Sequence, residues 1–161
     1  MQPDTKQPAH VYTEAVVQTL IDTLDTMAFC PAEPQSADGV APPDEAVLVS
    51  LRFSGARAGQ IELVAGRAFA RMLAASICGE DEADAEAGGA EQKAEDSIKE
   101  IVNVTAGAMM PRMASDDDVV NLALPVVRPF DTEAEWAAFV NSPGATALAA
   151  DGGTLALRLV A

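Results

Sequence analysis

The stretch AVLVSLRFSGARAGQIELVA, residues 46–65, decides how the fold is read. Val47, Val49, Leu51 and Phe53 recur at every second position, so one face of a strand collects all four. Residues 54–58 hold Gly55 and read as a short turn, and a second strand follows over 59–65. Two strands so closely joined form an antiparallel hairpin. The end of the chain repeats the pattern. Residues 145–150 and 154–160 flank Asp151-Gly152-Gly153, a turn sequence, and Leu155, Leu157 and Leu159 alternate toward a core.

Working outward, the remaining segments alternate between helical and strand spacing. Over 12–29, Val16, Val17, Leu20, Ile21, Leu24, Met27 and Ala28 fall on one helical side, with Glu14, Gln18, Asp22 and Asp25 on the other. Residues 31–44 contain Pro31, Pro34, Pro42, Pro43 and Gly39 and read as a loop. A helix over 67–77 carries Phe69, Met72, Leu73 and Ile77, and Gly79 is placed to end it. The acidic, Ala/Gly-rich stretch 80–90 reads as a flexible connector. A long helix is predicted over 92–110, with Pro111 kinking or stopping it. A strand over 119–127 sets Val120, Leu122, Leu124 and Val126 on one face. Residues 128–143 form a connection with a short helix near 133–139. The predicted fold class is α+β: a mainly antiparallel sheet packed with long helices, with an αββ unit occurring twice as a pseudo-repeat. Residues 1–11 form a flexible tail and 12–161 a single domain.

Composition narrows the function. The chain has 161 residues, 49% of them hydrophobic, enough for one domain with its own core. No run approaches the length of a membrane span, and the N-terminus lacks the apolar stretch of a signal peptide, so a cytoplasmic protein is expected. A net charge of −15 repels nucleic acid and anionic membrane surfaces. The acidic run from Glu80 to Glu86 lacks the ligand spacing and central Gly of an EF-hand. Cys30 and Cys78 have no CxxC spacing and read as small buried thiols. His10 is the only histidine and lies in a polar tail. That excludes multi-histidine metal sites and argues against nucleophile–imidazole pairs. No Gly-rich phosphate loop is present.

One helix stands apart. In QKAEDSIKEIVNVTAGAMM, residues 92–110, Ile98, Ile101, Val102, Thr105, Ala106 and Met109 form the core side. Asp96, Glu100, Asn103 and Gly107, spaced 4, 3 and 4 apart, fall in one stripe opposite. A plain wetted helix face is the competing reading of any one acid there. Asn103 and Gly107 are harder to explain that way. Asn costs several tenths of a kcal/mol against Ala inside a helix, and Gly about 1 kcal/mol. Gly on the polar stripe permits another protein's backbone to come close.

The segment from Asp96 through Glu100 and Asn103 to Gly107 resembles the signature helix of the CheC/CheX/FliY chemotaxis phosphatases. That signature has Asp or Ser, Glu four residues on, Asn three further, and a Pro a little over twenty residues beyond, near where Pro125 stands here. The first hairpin, from Phe53 through Gly55 and Gly59 to Leu63, and the terminal hairpin around Asp151 support the likeness. It spans about residues 12–160, and the connection 128–143 is longer than it would imply. With asparagine only at 103, 121 and 141, one active centre is possible, as in the CheX branch. The resemblance implies a phosphatase acting on a phospho-aspartate in a CheY-type receiver domain. Asn103 would position the attacking water and Glu100 would pair with a receiver Lys, making these the catalytic residues. Asp96 and Gly107 would serve partner binding. The chain would have no metal or cofactor of its own, because Mg²⁺ comes with the receiver, and it would form a homodimer through sheet edges. Two alternatives stay open: a non-catalytic receiver-binding module, and an unrelated acidic dimerisation domain.

Overall fold

The computed structural model describes residues 9–78, 89–115, 117–151 and 153–160. The helical spacing of the first segment produces α1 (Ala9–Ala28), which starts three residues before the predicted boundary. A short strand, β1 (Ala32–Gln35), and a single 3₁₀ turn (Ala37–Gly39) follow. The decisive hairpin is β2 (Ala46–Gly55) and β3 (Gly59–Gly66), which pair antiparallel from Ala46↔Gly66 to Phe53↔Gly59. Then come α2 (Arg67–Cys78) and the long helix α3 (Ala90–Met113). The chain continues through β4 (Val120–Leu122), β5 (Val126–Phe130), α4 (Thr132–Val140), β6 (Ala145–Ala150) and β7 (Gly153–Val160). The fold is α+β with an antiparallel sheet, as the alternation predicts. The predicted connector 80–90 up to residue 88, its acidic run, Gly79 and Gly152 lie outside the described residues, as do the side chains of His10 and Cys78.

The sheet has the strand order β1-β6-β7-β3-β2, with β4 and β5 sharing the far edge of β2. This order reads the same from either end when β1 is matched with β4/β5, β2 with β6 and β3 with β7. The predicted repeat is therefore present, but its unit is αβββ rather than αββ. The difference is β1, which falls in the predicted loop 31–44 and pairs with β6. Pro34 sits within it. Proline is tolerated on an edge strand, where a missing N–H need not break a ladder.

Two cores hold the sheet. On one face Val47, Val49, Leu51 and Phe53 pack with Leu155, Leu157 and Leu159 and with α1, α2 and α3. On the other, Ala46, Leu48, Val64, Ala147 and Ala156 pack under Phe130, Trp136, Phe139 and Val140 of β5 and α4. β2 is thus buried on both faces near its start. The connection 128–143 is the cover of this second core. Asp131 caps α4 by accepting from the backbone N–H of Glu133 and Ala134, both at 3.1 Å. A bidentate Arg128–Glu135 pair at 3.2 and 3.0 Å braces it.

Two predicted boundaries shift. Pro111 does not stop α3, which runs on to Met113. Arg57, from the β2–β3 turn, secures that end: its Nε donates to the Met113 carbonyl at 3.0 Å and its Nη2 to the Tyr12 hydroxyl at 3.2 Å. The predicted strand 119–127 is two strands separated by three residues, and the register explains the break. β4 aligns Leu122 with Phe53, whereas β5 aligns Val126 with Ser50. Two residues of β2 (Leu51 and Arg52) therefore face three on the other chain segment (Ala123, Leu124 and Pro125). One extra residue is inserted, a β-bulge, at the place where Pro125 has no N–H for a ladder.

Candidate functional site on helix α3

α3 presents its core side through Ala94, Ser97, Ile98, Ile101, Val102, Thr105, Ala106 and Met109, all buried. At 100° per residue, Asp96, Glu100, Asn103 and Gly107 fall within an arc of about 60° on the opposite side, and all four are exposed. The structure brings Asp96, Glu100 and Asn103 together along one groove of about 360 Å³, completed by Lys99, Leu124 and Pro125. Gly107 lines a separate groove one turn further on, with Met110, Pro111, Ser115, Asp118 and Val120. The stripe is thus continuous along the helix but opens into two hollows.

The four positions differ in what occupies them. Asp96 is engaged within its own helix: Gln92 Nε2 donates to its Oδ1 at 2.9 Å, and Lys99 Nζ stands 4.0 Å away. Among the described residues, Glu100 and Asn103 make no side-chain hydrogen bond or ion pair within the chain. Their carboxylate and carboxamide are therefore open to an outside group. At Gly107 an added Cβ would meet nothing within 4 Å. Close packing among the described residues does not require a glycine there.

The bulge supplies the other wall. Alternation from Leu122, opposite the helix-side Phe53, points Leu124 toward α3. Alternation from Val127, opposite the helix-side Val49, points Pro125 the same way. Two consecutive residues thus face the helix across the groove. Alternation in the predicted strand 119–127 sets Leu124 on one face with Val120, Leu122 and Val126. In the structure it is 87% exposed. Nothing local in 119–127 signals this, because the bulge is a property of the pairing with β2.

Other chemistry is sparse. Cys30 is a buried free thiol, and burial pushes its pKa up. Among the described residues no three His, Cys, Asp or Glu side chains converge as a metal site needs, and no helix is long and apolar enough to cross a membrane.

The sequence matches no protein-family model and no curated protein. Its architecture does match solved structures across nearly the whole chain. The chemotaxis protein CheX from Vibrio vulnificus is 17% identical, with a TM-score of 0.68 over 96% of this chain and 99% of its own. CheX from Desulfovibrio desulfuricans is 14% identical, with a TM-score of 0.63 over 94% and 99%. A chain of the CheX–CheY–BeF₃–Mg²⁺ complex from Borrelia burgdorferi is 15% identical, with a TM-score of 0.65 over 92% and 96%. The fold is therefore that of a class of chemotaxis proteins. Within that class it is the fold of CheX and the CheC-like proteins.

Proposed function

We propose that this protein removes the phosphoryl group from a phospho-aspartyl receiver domain of the CheY type. The observation that carries the reading is the pairing of Glu100 and Asn103. Both are exposed, adjacent on one helix face and uncommitted among the described residues, on a fold shared with a chain of a CheX–CheY–BeF₃–Mg²⁺ complex.

An acyl phosphate is already activated, so its hydrolysis needs little covalent chemistry from the protein. It needs a water held in line with the leaving aspartate oxygen and charge stabilisation around a loose, metaphosphate-like transition state. The partner's Mg²⁺ would supply the charge stabilisation. Asn103 can both donate to and accept from a water through its carboxamide. It is too weak a base to deprotonate that water, so it acts by orienting it. Glu100, one helical turn earlier, pairs with a cation on the partner and fixes how α3 docks. Asp96, already bonded to Gln92, is an outer docking group, and Gly107 gives the partner's backbone room.

The test is phosphate release from phosphorylated receiver domains with Mg²⁺, for wild type and Asn103→Ala. Loss of a positioned water should cost about 2–4 kcal/mol, on the order of 10²- to 10³-fold in rate, with binding kept. Binding without any acceleration by the wild type would make the protein a docking module and sink the phosphatase reading. If the mutant keeps full rate, Asn103 is not the group that places the water.

A further inference from the structure

The bulge at residues 123–125 holds an apolar residue against water beside the Glu100–Asn103 groove. Leu124 is 87% exposed, the most of the wetted apolar residues along this edge, which include Val119 at 69% and Val126 at 62%, while Val120 and Val127 pack on the core. Without the extra residue, the register of β4 would continue to Leu124 opposite Leu51, and the strand would run on unbroken. With it, Leu124 and Pro125 both turn to the helix side and become the wall facing Asn103. A leucine so exposed gains nothing from the fold it sits in. Ala123 N–H donates to the Arg52 carbonyl at 2.8 Å, so the bulge is tied to β2 by its own backbone.

We propose that Leu124 is the affinity-determining contact of the site: an apolar knob that packs on the receiver surface around the phosphorylated aspartate while Asn103 reaches the phosphoryl group. This rests on the phosphatase reading. The occupant is fixed by continuity, because Leu124 lines the same groove as Glu100 and Asn103. Whatever places its phosphoryl group at Asn103 must cover Leu124. The partner therefore presents a cation toward Glu100 and an apolar patch toward the bulge.

The division of labour is measurable. Leu124→Ser should raise KM for the phosphorylated receiver, and its Kd, about tenfold, the scale of desolvating one leucine-sized contact. It should leave kcat within about twofold. Asn103→Ala should do the reverse. Leu124→Met should restore affinity, since it keeps an apolar contact. Phe29→Ser serves as a control for general surface hydrophobicity. Phe29 is 83% exposed but follows α1 next to β1, at the opposite edge of the sheet from β5, and its loss should change neither constant. Leu124 is exposed, so the variant should keep the wild-type melting temperature. An unchanged Kd for Leu124→Ser, while Asn103→Ala still abolishes turnover, overturns the knob and leaves the phosphatase intact. A wild type that neither binds nor dephosphorylates receivers overturns both.

Discussion

Replacing Gly107 by Ala should make the protein more stable and a worse partner for the proposed receiver, a combination that separates a docking glycine from a structural one. In a helix interior Ala is favoured over Gly by about 0.8–1.0 kcal/mol. At position 107 nothing among the described residues opposes that gain, because beyond the helix's own backbone the added Cβ meets none of their atoms within 4 Å. For a domain of this size about 1 kcal/mol corresponds to roughly 2–4 °C in Tm. If the glycine is there so that another backbone can approach the helix, the methyl group holds it off, and KM for the phosphorylated receiver should rise by roughly an order of magnitude at little change in kcat. Differential scanning calorimetry and the phosphate-release assay on the same preparation give both numbers. A variant that is stabilised and fully active refutes the docking role. A destabilised variant points elsewhere, to Pro111. That residue has no N–H to give the Gly107 carbonyl, and the glycine would then be relaxing the helix for the proline four residues on.

Two further outcomes follow from groups away from the groove. Arg158 donates to Glu62 from Nε at 3.1 Å and Nη2 at 3.0 Å, donates to Ser142 from Nη1, and lies 4.4 Å from the Phe139 ring centroid. Arg158→Met leaves the buried Glu62 carboxylate unpaired and should cost about 2–3 kcal/mol in urea unfolding, just under the fully buried-pair range because Arg158 is partly wetted; adding Glu62→Gln should recover much of it. Asp118, in the turn from α3 to β4, accepts from Ser115 Oγ at 2.8 Å and Ser115 N–H at 3.0 Å, and these bonds hold its pKa below the ordinary aspartate range. A lowered folded pKa means the contact stabilises the turn above the unfolded value and is lost as pH falls through the folded one. A carboxyl NMR titration should show Asp118 moving up toward an ordinary aspartate in Ser115→Ala, and no movement would discount the Ser115 contact.

What the sequence disclosed follows how local each feature is. The β2–β3 and β6–β7 hairpins were legible because strand alternation and a short turn are both contained in about twenty residues. The stripe from Asp96 to Gly107 was legible because the angle between helical residues depends only on their spacing. β1 was missed because Pro31 and Pro34 mark a loop in sequence, and only its pairing with β6 makes it a strand. The second core was missed for a related reason: Leu48 and Val64 alternate out of phase with the first core, and their cover, Trp136 and Phe139, looked like part of a connection. Leu124 is the sharpest case. Its alternation with Leu122 and Val126 reads as one continuous strand face, and the bulge that turns it toward α3 exists only as a one-residue change of register against β2.

That change of register also bears on why a two-fold fold shows its candidate site in one half. The strand order is symmetric, and α1 stands to its half as α3 stands to the other. Yet the edge strand after α1 pairs in one unbroken register, Ala32↔Ala150 to Gln35↔Ala147, with no bulge. The exposed side of α1 is partly satisfied within itself, with Gln18 donating to Asp22 at 2.9 Å. β1 itself holds neither an uncommitted carboxamide nor a projecting apolar residue; the exposed Phe29 precedes it, directly after α1. In the second half both occur together, on elements that meet only through tertiary structure. The symmetric frame holds two equivalent helices against one sheet. The candidate site lies where the second half departs from that symmetry twice in the same place, once in the composition of the helix stripe and once in the pairing of the edge strand.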